Sequence, residues 1–197
     1  MRNKKPVFLL LGICLFAFFF HGFVTAEVKP PGAGDPFPDL IFKDTLSKEQ
    51  RLYLGIPKKK SLSFRMFQGE LFLLEIFNTF CTSCPRNVPI FNDIYLKSKK
   101  DPSLKGKIRV ISIAIGNTSK EVELYRKEQK VLYPILTDYE FAAHKALGTP
   151  RVPFTIIVEK DTQGKYTVAY SHQGVHENID EIMCKIRDLL KQPPSRQ

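Results

Sequence analysis

The sequence predicts an α/β fold in which a mixed central β-sheet is flanked by helices on both faces. Three observations carry that expectation. Residues 71–77 (LFLLEIF) and 108–115 (IRVISIAI) are apolar on both faces, as strands are when helices cover them from each side. Helical segments follow each of these strands. Residues 154–159 and 166–171 then flank Asp161-Thr162-Gln163-Gly164, the pattern of an antiparallel hairpin. At 197 residues the chain suffices for one domain with a sizeable core and falls short of two comfortable ones.

From the N-terminus, Arg2, Lys4 and Lys5 precede an almost unbroken apolar run, and Val24-Thr25-Ala26 forms a small-residue exit. That layout predicts a secretory signal peptide over residues 1–26, with an uncleaved anchor as the alternative. Export would place the protein in the periplasm or another extracytoplasmic space. Removing residues 1–26 takes away three positive charges and no negative one, so a formal charge of +10 falls by three to +7. The excess sits in clusters such as Lys58-Lys59-Lys60, read as a solvated face; nothing resembles a nucleic-acid-binding module.

Residues 27–38 hold four prolines and two glycines and read as a linker ahead of a domain over 39–191. Leu40-Ile41-Phe42 suggests a short edge strand. Ser47, with Gln50 three residues on and Gly55 as a stop, marks a short helix. Residues 61–67 fit either a strand or a loop. After the first buried strand a helix is expected over about 82–100, with Pro85 in its first turn and Pro89 kinking it. A helix over 119–130 follows the second strand, then a short one over 139–147 capped by Asp138 and ended by Gly148. A last helix over 177–190 leads to a frayed tail, 192–197.

The chemistry concentrates at Cys81-Thr82-Ser83-Cys84, placed at a strand-to-helix junction. Two cysteines three apart can close a small disulfide ring. The first sulfur then lies near free N–H groups and the positive end of a helix, which favour a thiolate. In an oxidising compartment most cysteines are held as disulfides, and a pair this close staples no long loop. Thiol–disulfide exchange is the expected use, carried by the Cys81–Cys84 pair with no separate cofactor and no metal. Glu75 interrupts an apolar strand, and a buried carboxyl is expensive without a role or a partner. Cys184 is expected on the polar face of the last helix. His144, His172 and His176 read as exposed.

The stretch from Glu75 to Pro89 (EIFNTFCTSCPRNVP), followed by Thr149-Pro150-Arg151-Val152-Pro153-Phe154, resembles the thioredoxin superfamily, and within it the exported TlpA/ResA-like branch. The resemblance implies a thioredoxin-like fold and a thiol–disulfide oxidoreductase. It makes Cys81 the attacking thiol, Cys84 the resolving thiol, Glu75 the buried acid and Pro153 a cis-proline facing the cysteines. Val152 would offer backbone hydrogen bonds to a substrate, and Phe80, Thr82, Ser83 and Gly174 would line the rim. Phe80 replaces the tryptophan usual before the first cysteine, and Thr82-Ser83 departs from the dipeptides of the best-known members. With no imidazolium from that dipeptide to stabilise the Cys81 thiolate, the expected direction is reduction. The implied partners are disulfide-containing exported proteins, apocytochrome c among them, and a membrane electron donor of the thiol-reducing type. Two alternatives stand beside this reading: a thiol peroxidase, although no proline precedes Cys81 in the stretch 75–80, and a metallochaperone using the soft thiolates for Cu(I).

Overall fold

The computed structural model describes residues 29–191; the expected signal segment and the tail at 192–197 lie outside the described residues. A small antiparallel pair, β1 (Ile41–Lys43) and β2 (Ser61–Ser63), brackets helix α1 (Lys48–Leu54). Ser47 and Gln50 form the expected capping box on α1, and Gly55 ends it with a left-handed φ of 69°. The ambiguous stretch after residue 60 divides: β2 comes first, then a 3-10 turn over Phe64–Met66.

The main sheet holds β3 (Leu71–Phe77), β4 (Ile108–Ile115), β5 (Ile135–Asp138), β6 (Phe154–Lys160) and β7 (Tyr166–Gln173), in the spatial order β5-β4-β3-β6-β7. β3, β4 and β5 run parallel, while β6 and β7 are antiparallel to their neighbours. β3 is thus central, and all seven of its residues are buried. The short edge strand β5 was not expected from the sequence. It has only four residues behind Pro134, too few for a periodic signal. Pro134 nonetheless contributes its carbonyl, which accepts from the Ser112 N–H at 3.0 Å, so the missing proline N–H costs the ladder nothing.

One face of the sheet packs against α1, the β1–β2 pair and α4 (Ala142–Ala146), around Phe64, Phe72, Leu74, Ile113 and Ile156. Phe64 lies between the rings of Phe37, Phe67, Phe72 and Tyr166, at centroid distances of 4.9, 5.3, 5.0 and 5.6 Å. The other face packs against α2 (Val88–Lys100), α3 (Ser119–Glu128) and α5 (Ile179–Lys191), around Leu73, Phe77, Phe91, Val110, Tyr133 and Ile182.

Two segments differ from their sequence reading. Residues 34–37, read as part of a linker, form a strap along the outer edge of β7. Gly34 N–H donates to Val168 O, Val168 N–H to Asp35 O and Phe37 N–H to Tyr166 O, and Phe37 is buried. Its one proline, Pro36, faces Thr167 between the bonded residues Asp35 and Phe37, where no donor is required. The helix expected over about 82–100 starts later. Cys84–Asn87 is a 3-10 turn, and α2 begins at Val88. Pro89 therefore falls in the first turn of α2, where no intrahelical donor is needed, rather than kinking a longer helix.

Candidate active site: a disulfide above a buried polar row

The chain leaves β3 at Phe77 and turns through Asn78-Thr79-Phe80, held by short-range and cross-strand bonds. Asn78 Nδ2 donates to Ile115 O (2.7 Å), Thr79 N–H to Asn117 Oδ1 (3.0 Å), and Cys81 N–H to Asn78 O (3.0 Å). These bonds tie the cysteine loop to the end of β4. Cys81 and Cys84 are joined in a disulfide. Cys81 is partly exposed and Cys84 is fully buried, so an incoming group can reach only the first sulfur. The Cys84 N–H donates to Cys81 Sγ at 3.2 Å, and Ser83 Oγ lies 3.5 Å from the same sulfur. Both donors would favour a Cys81 thiolate after reduction.

The Val152–Pro153 peptide bond is cis, and Val152 precedes Phe154, the first residue of β6 in the ladder with β3. The loop after β7 secures this segment. Gly174 N–H donates to Pro153 O (2.9 Å), and Gln173 Nε2 donates to both Arg151 O (2.9 Å) and Pro153 O (3.0 Å). Gly174 holds φ at 109°, a backbone region that favours glycine. Phe80 is 74% exposed beside Cys81 in the chain, and Thr82 is exposed as well.

Below the disulfide a polar row crosses the sheet. Ser112 on β4, Thr155 on β6 and His172 on β7 stand in register with or beside Glu75 on β3. Glu75 is buried on the face covered by α2. Asn87 Nδ2 donates to its Oε1 (3.0 Å) and Ser112 Oγ donates to its Oε2 (3.2 Å). No lysine among the described residues pairs with it. Burial, only partly offset by hydrogen bonding, pushes the Glu75 carboxyl up to about 7. The group can therefore take up and release a proton near neutral pH. The neighbouring Tyr133 and Tyr125 hydroxyls are held protonated, first by burial and then by the Glu75 charge.

His176 corrects the sequence reading. It is 3% exposed rather than solvated, its backbone N–H donates to Asn87 Oδ1 (2.9 Å), and its Nε2 lies 2.9 Å from Thr155 Oγ1. Its ring lies 4.4 Å from that of His172, centroid to centroid, and burial followed by the His172 charge lowers its pKa to about 4. His144 is half-buried, with Nε2 3.0 Å from Pro150 O. Cys184 is exposed on α5, as expected. Among the described residues no group of three or more His, Cys, Asp or Glu side chains has metal-ligating proximity.

Sequence reasoning missed Asn87 and the burial of His176. Asn87 carried a usable signal, because it is a polar residue inside the otherwise apolar stripe Cys84, Val88, Phe91, Tyr95. The burial of His176 carried no local signal, since it arises from partners 21 and 89 residues away.

Taken together, the mixed five-stranded sheet, the exposed-then-buried cysteine pair and the proline loop are those of a thioredoxin-like thiol–disulfide oxidoreductase. Comparison with known proteins agrees. The sequence is similar to the thiol-disulfide oxidoreductase ResA of Geobacillus thermodenitrificans, 22% identical over 186 residues that cover 92% of this chain and 94% of that one. It is also similar to ResA of Bacillus thuringiensis subsp. konkukian, 24% identical over 191 residues covering 94% and 99%. Among solved structures it superposes on a putative thiol:disulfide interchange protein DsbE from Chlorobium tepidum, with a TM-score of 0.62, 17% identity and coverage of 81% and 99%. StoA from Bacillus subtilis gives a TM-score of 0.54 at 15% identity, covering 78% and 98%. No protein-family model matches the chain.

Proposed function

We propose that the protein works outside the cytoplasm as a disulfide reductase, with Cys81 as nucleophile, Cys84 as resolving thiol and Glu75 as the proton acceptor for Cys84. In the dithiol form the Cys81 thiolate attacks a substrate disulfide, forming a mixed disulfide and releasing one substrate thiolate. Cys84 then gives its proton toward Glu75 and attacks Cys81 Sγ. The Cys81–Cys84 bond forms, the bond from Cys81 to the substrate breaks, and the second substrate sulfur leaves as a thiolate that is protonated from water. The substrate gains two electrons and the protein loses two. The cysteine pair carries these electrons by itself, and Pro153 with Val152 seats the substrate segment beside Cys81, Phe80, Thr82, Ser83 and Gly174.

The observation that carries this reading is the Glu75 carboxyl, poised near neutrality under the turn that bears Cys84. A proton acceptor is what the second step needs and the first does not. Direction is supported by the absence of a cationic side chain within Thr82-Ser83, which leaves the Cys81 thiolate without charge-assisted stabilisation from that dipeptide. The substrates are exported disulfide-bearing polypeptides, apocytochrome c among them, and a membrane thiol donor returns the pair to the dithiol. The basic, apolar and small-residue pattern of residues 1–26 supports export. No helix among the described residues is long and apolar enough to cross a membrane.

Trapping tests the proposal. A Cys84→Ala variant should accumulate covalent adducts through Cys81 that a reductant releases, and mass spectrometry should identify exported proteins in them. A Cys84→Ala protein whose Cys81 is alkylatable yet forms no adduct would sink the reading.

A further inference from the structure

The exchange reaction proposed above leaves one buried side chain without a part. Asn87 is 0% exposed and closes the 3-10 turn that opens with Cys84. Its amide is held from both ends. The His176 backbone N–H, which can only donate, meets Oδ1 at 2.9 Å, and this contact decides which end of the amide is oxygen. The NH2 end therefore faces Glu75 Oε1 at 3.0 Å. A flipped amide would set donor against donor at His176 and oxygen against oxygen at Glu75. The frame is itself anchored, because the His176 ring is bonded to Thr155 Oγ1, and Thr155 is in register with Glu75.

The two carboxyl oxygens are thereby made unlike. Oε1 receives a fixed N–H. Oε2 faces the Ser112 hydroxyl at 3.2 Å, and a hydroxyl can donate to a carboxylate or rotate to accept from a carboxylic acid. Only Oε2 can gain and lose a proton without breaking a bond of the frame.

We propose that Asn87 is a positioning residue for proton transfer from Cys84, committing Glu75 Oε1 as a permanent acceptor and Oε2 as the oxygen that carries the proton. The inference rests on the exchange reaction of the preceding subsection. In the resolving step the Cys84 proton ends on Oε2, the Cys84 sulfur pair forms the bond to Cys81 Sγ, and the substrate sulfur departs with the electrons of the broken bond. The other titratable groups around Glu75 are Cys84 in the 3-10 turn, Tyr133 just ahead of β5, Tyr125 on α3, His172 on β7 and His176 in the loop that follows it. Tyr133 and Tyr125 are pushed up and His176 pushed down, so these three stay neutral through the range in which Glu75 titrates.

The test uses the nearly isosteric Asn87→Asp and the apolar Asn87→Leu, each in the full chain. The Glu75 carboxyl is titrated by carbon NMR in the oxidised protein. Removing the N–H donor, or setting a second carboxyl against the first, should raise its midpoint by about one unit or more in both variants. The pH profile for release of a mixed disulfide with a model peptide should move by the same amount, while the first attack by Cys81 keeps its wild-type profile. A merely structural asparagine would shift neither midpoint. An unmoved Glu75 midpoint in a folded Asn87→Asp protein, with exchange intact, overturns this inference alone. Failure of the wild-type protein to reduce the peptide disulfide overturns the exchange reaction and this inference with it.

Discussion

Replacing Glu75 by glutamine should change how stability depends on pH, and the size of the change follows from the burial of the carboxyl. In the folded protein the group titrates near 7 against an ordinary value of 4.5. The folded state therefore holds this proton more tightly than the unfolded chain does. Its contribution to stability is present in full below about 4.5 and is lost as pH rises through about 7, because ionisation then occurs inside an apolar layer. A difference of roughly 2.5 pKa units, at 1.36 kcal/mol per unit, corresponds to about 3 kcal/mol across the window. Glu75→Gln removes the titration and keeps a neutral amide of similar shape. Urea unfolding of the oxidised proteins at several values between pH 4.5 and 8.5 should then show the variant gaining on the wild type by about 3 kcal/mol as pH rises. The His176 titration, pushed below its ordinary value, destabilises both proteins alike as pH falls and cancels in the comparison. Parallel curves for the two proteins would refute the assignment of a raised, buried carboxyl.

Three further outcomes are expected. In kinetics, Glu75→Gln should slow release of the mixed disulfide while leaving the first attack nearly intact. The chain has no tryptophan, so acid quenching with mass spectrometry is the suitable readout, and equal slowing of both steps would remove Glu75 from the mechanism. Phe80→Ser should leave the unfolding midpoint within about 0.5 kcal/mol of wild type, as surface changes do, while raising KM for a peptide disulfide and sparing kcat. Phe64→Ala, which empties the centre of a five-ring aromatic cluster, should cost about 3–5 kcal/mol in chemical denaturation.

Much of this arrangement was legible because it is written locally. β3 and β4 are continuous apolar runs, the β6–β7 hairpin is marked by Asp161 and Gly164, and Glu75 stands out as the one charge in its strand. The Cys-x-x-Cys pair and Pro153 declare themselves by position relative to those strands. What escaped was non-local. β5 is short and takes its register from β4, so Pro134 obscured it. The late start of α2 depends on two prolines, Pro85 and Pro89, each restarting the backbone hydrogen-bonding pattern. The burial of His176 depends on Asn87 and Thr155, which no window of neighbouring residues contains. Asn87 could have been found by asking why an amide interrupts the buried stripe of the helix after Cys84.

The strap at residues 34–37 has a consequence for how unfolded clients are handled. An extended polypeptide attaches to a sheet most readily by strand addition at an open margin, and such margins are also where misfolded chains recruit one another into aggregates. Along Tyr166–Val168 of β7 that margin is already taken by the protein's own chain, through Gly34, Asp35 and Phe37, and on the opposite side β5 offers only four residues. The strap leaves a disulfide-bearing client no room to add a strand beside Tyr166–Val168, and on the exchange reaction proposed above this favours the stretch ahead of Phe154, next to the one sulfur it can reach.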